Sequence, residues 1–128
     1  KYLGGSMKTT SIALSKKLNT TFPDWESEYI YCHDYVVTKI ALAGGFDTQD
    51  FHEHTQTFDI DFLLNKLPKS IENKDNGGSY YLDLSAEGEH WTVCYDNAFG
   101  DCTYVEYADT PAEALGKLAL LLKKEGIL

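Results

Sequence analysis

Apolar residues recur at helical spacing in three stretches of the chain, with strand-like alternation between them. Leu115, Leu118, Ala119 and Leu122 fall at i, i+3, i+4 and i+7, which lays one apolar stripe along a helix. Thr110-Pro111-Ala112-Glu113 just before them is a capping box. The Thr110 hydroxyl takes the free N–H three residues on, Glu113 reaches back, and Pro111 sits where no donor is needed. Lys123-Lys124 and then Gly126 supply positive charge at the negative end of the dipole and a left-handed stop. This predicts a helix from Pro111. Ile60, Leu63, Leu64 and Leu67 repeat the spacing between a capping Asp59 and a terminating Pro68. Ser11 to Asn19 offers a weaker stripe of Ile12, Leu14 and Leu18, with Lys16-Lys17 turned to water.

Strand patterns fill the intervals. Glu28 to Cys32 and Tyr35 to Leu42 predict a hairpin turning at His33-Asp34, and Phe22-Pro23-Asp24-Trp25 reads as a loop anchored by its aromatics. Phe46 to Thr57 and Glu72 to Ser79 read as polar loops. Tyr80 to Leu84 returns at His90 through Ala86-Glu87-Gly88-Glu89, with Tyr80, Leu82 and Leu84 facing inward beside Trp91 and Val93. Asn97-Ala98-Phe99-Gly100 has the residues of a type I turn, which sets Tyr95 opposite Thr103, Val93 opposite Val105 and Trp91 opposite Tyr107. That register leaves Thr92, Cys94, Asp96, Cys102, Tyr104 and Glu106 on the other face. The expected fold is α+β, a single antiparallel sheet of about four to five strands with helices on one face, in the order α-β-β-α-β-β-β-α.

Composition narrows the function classes. The chain has 128 residues, 20 carboxylates against 11 basic residues and a formal net charge of −9. All the basic residues are lysines, so the planar fork that reads phosphates and base edges is missing and nucleic acid is not an expected partner. The length suits one core spanning Met7 to Leu128, with Lys1 to Ser6 read as a leader outside the fold because Gly4-Gly5-Ser6 is linker-like. No apolar run nears the roughly 20 residues of a membrane span. Three cysteines, Cys32, Cys94 and Cys102, match neither a disulfide framework nor a zinc knuckle, so free thiols in a cytoplasmic protein are expected.

Candidate chemistry is thin. His52-Glu53-His54 with Asp50 is the best metal-ligand cluster in the sequence, but His52, His54 and Asp50 make an incomplete set and no metal or other cofactor is expected. Cys32-His33-Asp34 has the residue types of a cysteine hydrolase, yet neighbours along a strand face opposite ways. Cys94 and Cys102 share a face on a diagonal, which argues against a disulfide. Gly44-Gly45 and Gly77-Gly78 lack the lysine and context of a phosphate loop, and Asn19-Thr20-Thr21 is a chance glycosylation match. No catalytic residue is assigned. The outer sheet face, with Tyr81, Asp83, Cys94, Asp96, Tyr104 and Glu106, is the expected protein-contact surface, where aromatics anchor and carboxylates steer a basic partner.

The block YYLDLSAEGEHWTVCYDNAFGDCTYVEYADTPAEAL resembles the sheet-and-helix domain of HicB-type antitoxins. Gly100, Cys102, Asp109, Thr110, Glu113, Ala114 and Leu115 carry the likeness, which covers under half the chain. It implies three strands leading into a helix and a domain that covers a small basic toxin. A long segment precedes the block here and the helix closes the sequence, so the DNA-binding module that such antitoxins append is not expected. Asp59 to Leu128, with its LPKSI, YYLDL and ADTPAEALGKL stretches, also looks like small phage- and prophage-encoded proteins, which implies a mobile-element accessory role. The expectation is a small non-enzymatic acidic protein that binds another protein. The alternatives are an antitoxin-like domain and a metal-binding or enzymatic module built on His52 and His54.

Overall fold

The computed structural model describes residues 8–40, 55–72 and 77–128. Ser11 caps α1 (Ile12–Thr21), its hydroxyl accepting from Leu14 N, and Leu14, Ser15 and Leu18 are the buried face. Asp59 caps α2 (Ile60–Lys66) by accepting from Phe62 N at 2.9 Å, and Leu67 closes it ahead of Pro68. Thr110 caps α3 (Pro111–Lys124), which ends with Gly126 at φ 79°. Each of these three helices thus starts at the side chain that satisfies an otherwise orphaned N–H.

The fold is α+β with antiparallel strands, and the expected elements follow one another in the expected order. The strands divide between two antiparallel sheets, because the β1–β2 hairpin does not pair with the later strands, and each sheet is widened by one short strand. A three-stranded sheet has the order β2-β1-β3, from β1 (Tyr29–Cys32), β2 (Tyr35–Thr38) and β3 (Gln56–Thr57). A four-stranded sheet runs β4-β5-β6-β7, from β4 (Ser70–Glu72), β5 (Ser79–Glu87), β6 (His90–Asp96) and β7 (Cys102–Ala108). β3 and β4 are only two and three residues long, too short for alternation to register. The hairpin β1–β2 does turn at His33-Asp34, with His33 at φ 60°. β2 stops at Thr38, short of the expected Leu42, which lies outside the described residues. The β5–β6 turn is tighter than expected: Glu87 pairs with His90, leaving Gly88-Glu89 as the loop, with Gly88 at φ 62°.

α3 lies across β6 and β7, flanked by α1 and α2. Its Leu115, Leu118, Ala119 and Leu122 are fully buried with Val93 and Tyr95 of β6, and Tyr80, Leu82 and Leu84 of β5 face the same core. Gly116 lets α1 come close, since a Cβ there would stand 2.8 Å from Leu14 Cδ2 and 3.1 Å from Thr10 Cγ2. Phe22 and Trp25 stack at 3.9 Å and seal the core under Phe58, so the aromatic loop is an anchor as its sequence predicts.

One expectation is corrected. The Asn97–Gly100 turn forms, and Tyr95 pairs with Thr103, but further along Val93 pairs with Glu106, Thr92 with Tyr107 and Trp91 with Ala108. Between these pairs the single residue Cys94 faces two, Tyr104 and Val105, which is a β-bulge. Tyr104 adopts φ 52° to make it. The extra residue reverses every later side chain of β7, since strand faces alternate with period two. Tyr104 therefore packs against the core, Glu106 points to the helical side where it meets Lys117 at 3.9 Å, and Tyr107 takes the outer face.

Candidate functional site

The sheet face turned away from the helices is built from alternate residues: Tyr81, Asp83, Ser85 and Glu87 on β5, His90, Thr92, Cys94 and Asp96 on β6, and Cys102 and Tyr107 on β7. Four of the six residues expected on this face are there, Tyr81, Asp83, Cys94 and Asp96. Tyr104 and Glu106 are not, for the reason of the bulge. Tyr107 replaces Tyr104 as the second exposed aromatic, 54% accessible beside Tyr81 at 57%. Its ring stands edge-on to His90 at 5.8 Å. The sequence carried no signal for this exchange, because bulge position is set by tertiary packing and not by a residue type that must occupy it.

Charge is distributed unevenly about the sheet. None of the strands β4 to β7 contains a lysine, while Glu72, Asp83, Glu87 and Asp96 all point outward. Six of the described lysines sit on the helices, at 16 and 17 in α1, 66 in α2, and 117, 123 and 124 in α3; of the others, 8 and 39 lie away from this sheet and 69 directly precedes β4, its carbonyl accepting from Leu82 N.

At the β6–β7 turn end of the outer face lies a cluster that the sequence reading divided between a rejected disulfide, Cys94 with Cys102, and the contact surface, Cys94 with Asp96. The Sγ atoms of Cys94 and Cys102 and a carboxylate oxygen of Asp96 all lie within 4.8 Å of one another. Pairing explains the meeting: Asp96 is directly opposite Cys102, Cys94 is two residues back on the same face, and Asp83 faces Cys94 from β5. Cys94 is 5% exposed, whereas Cys102 is open to solvent. Burial first, then the Cys102 thiol and the charges of Asp96 and Asp83, push the Cys94 thiol up to about 12. Such a thiol holds its proton and is a poor nucleophile at neutral pH without a cation to stabilise the thiolate. Nearby, Thr92 Oγ1 is buried without a hydrogen-bond partner among the described residues.

Other candidates do not assemble. Cys32 is buried and its thiol donates to the Tyr35 hydroxyl at 3.4 Å, which with burial and the nearby Asp34 raises the Tyr35 phenol, so the thiol's recorded partner is a phenol on the paired strand. His52, His54 and Asp50 lie outside the described residues. A cleft of about 770 Å³ opens between α1 and the small sheet, over Gln56. The Gln56 amide is fully engaged there: Nε2 donates to Asn19 Oδ1 at 2.8 Å and to Trp25 O, and Oε1 accepts from Ser27 N and Lys39 Nζ, both at 2.9 Å. That arrangement is structural, and the amide has no hydrogen-bonding capacity left over for a ligand. Among the described residues no helix is long and apolar enough to cross a membrane. Comparison with protein-family models, curated proteins and solved structures finds no match to this chain.

Proposed function

We propose that this chain is a small non-enzymatic protein that works by holding a basic protein on the outer face of its four-stranded sheet. The observation that carries the reading is the charge segregation: strands without a lysine whose outward carboxylates Asp83, Asp96 and Glu87 share a face with two exposed tyrosines, Tyr81, which pairs with Asp96, and Tyr107. Aromatic side chains supply contact area at low entropic cost, and a single-sign rim raises the on-rate of an opposite partner. A small basic toxin is one such partner, which keeps the antitoxin-like reading as a special case of this one. Nucleic acid does not fit, since phosphates would meet the carboxylate face and find no arginine.

The test is site-specific photocrosslinking in native cells. A photoreactive residue at position 81 or 107 should capture a basic protein, and capture should weaken with added salt. The same probe at Lys17 on the helical side should not capture it. Identical products from both faces, or capture of nucleic acid from position 81, would reject the reading.

A further inference from the structure

We propose that Cys94, Cys102 and Asp96 form a binding site for a thiophilic divalent cation of the zinc class. The site does not depend on the protein-binding reading; it rests on donor type, spacing and topology. Two sulfurs and one carboxylate oxygen converge within 4.8 Å. Around a tetrahedral zinc, with Zn–S of about 2.3 Å and Zn–O of about 2.0–2.2 Å, donors stand roughly 3.5 to 3.8 Å apart. Closing the difference takes about an ångström, within the reach of side-chain torsions on a fixed backbone. Adjacent strands hold all three residues, so the site is carried by hydrogen-bonded sheet and not by a loop.

Ligand chemistry selects the ion. Thiolates favour zinc and similar soft ions over magnesium or calcium, which prefer all-oxygen sets. No lysine occupies the sheet to compensate these anionic donors, and Asp83 stands across from Cys94 where it adds negative charge beside the ion. The β-bulge lies beside the cluster: Cys94 faces both Tyr104 and Val105 of the partner strand, a placement bulges often have next to functional sites. Three protein donors leave a fourth position for water, and it faces solvent on the side of the exposed Cys102.

The experiment is a titration of the full, reduced chain with cobalt(II), followed by displacement with zinc, in the presence of a non-thiol reductant. The expected result is a saturable one-to-one thiolate-to-cobalt charge-transfer absorption that zinc abolishes. Cys102→Ser, chosen because that residue is exposed and its loss spares the core, should weaken binding about 100-fold or more. That exceeds the roughly 10–100-fold of losing a group that merely orients a ligand. Asp96→Asn should weaken it while keeping the charge-transfer absorption, and Cys32→Ser should leave it unchanged. No saturable absorption in the wild-type chain, or cobalt affinity unchanged by Cys102→Ser, overturns the assignment. So does loss of binding in a His52→Ala, His54→Ala variant that retains Cys94 and Cys102, since the ion would then be held elsewhere.

Discussion

The carboxylate of Glu113 accepts hydrogen bonds from both the backbone N–H and the hydroxyl of Ser11, the latter at 3.1 Å, and so ties the start of α3 to the start of α1 across 102 residues of sequence. Glu113 is the capping-box glutamate, and its backbone N–H does take the Thr110 hydroxyl at 3.2 Å. The reciprocal half of the box is spent on another helix. One side chain thereby completes a local motif and fixes a tertiary contact.

Removing it should therefore cost more than removing the cap itself. Glu113→Ala is expected to lose about 1.5–3 kcal/mol, the range for hydrogen bonds to a charged group, against about 1 kcal/mol for Thr110→Ala. A double-mutant cycle with Ser11→Ala should show coupling of at least about 0.5 kcal/mol. Additive effects in urea titrations would mean the two residues do not interact in solution.

Gly116→Ala tests how closely α1 and α3 approach. Alanine is the better helix former by about 1 kcal/mol, but its methyl would crowd Leu14 at 2.8 Å and Leu18 at 3.2 Å, and overpacking costs about 1–3 kcal/mol. The expected outcome is a net loss of roughly 1 kcal/mol. A more stable variant would show that the helices sit farther apart than described.

The bulge can be read out by two tyrosines. Tyr104→Ala should cost about 1.5–3 kcal/mol by removing a core contact, whereas Tyr107→Ala should stay within about 0.5 kcal/mol. A straight hairpin predicts the reverse order. Thermal denaturation of the two variants side by side decides between them.

Alkaline pH should loosen the protein through Tyr95. Its phenol is fully buried, donates to Pro68 O at 2.8 Å and is pushed up to about 12 by burial. An unfolded tyrosine ionises near pH 10, so the folded state keeps a proton that the unfolded chain releases. Stability from this group is whole below about pH 10 and is lost as pH climbs toward about 12. Cys94 acts in the same direction, beginning lower because an unfolded thiol ionises near about 8.5. Urea midpoints at about pH 9, 10 and 11 should fall steeply for the wild type and less so for Tyr95→Phe. Parallel curves would acquit Tyr95.

Much of the fold was legible because its boundaries are chemical. Thr110, Pro111 and Gly126 mark α3, Asp59 and Pro68 mark α2, and Asn97 with Gly100 marks the β6–β7 turn, each through a side chain or a dihedral that only a few residue types supply. The bulge was not legible, since Tyr104 at φ 52° is a residue held in an unfavourable conformation by its surroundings and not one selected for it. For the same reason the face assignment of Tyr104, Glu106 and Tyr107 failed while that of Tyr81, Asp83, Cys94 and Asp96 held. The sequence also placed Cys94 and Cys102 on one diagonal of the face that carries Asp96, but read the cysteines as a failed disulfide and Cys94 and Asp96 as contact residues. The third donor was in plain sight, and only distances could show that the three side chains meet.

Gln56 gives the molecule an uneven resistance to opening. Its one amide engages α1 through Asn19, the aromatic loop through Trp25 and Ser27, and the end of the β1–β2 hairpin through Lys39. The four-stranded sheet shares none of these bonds and keeps its own cover in α3. Strain on the small sheet thus converges on a side chain whose release leaves several partners unsatisfied at once, so that sheet should open as a unit or not at all. Amide hydrogens of Tyr29 to Cys32 would then exchange together and sooner than those of Val93 to Tyr95, and Gln56→Ala would widen the gap between the two groups without touching the slower one.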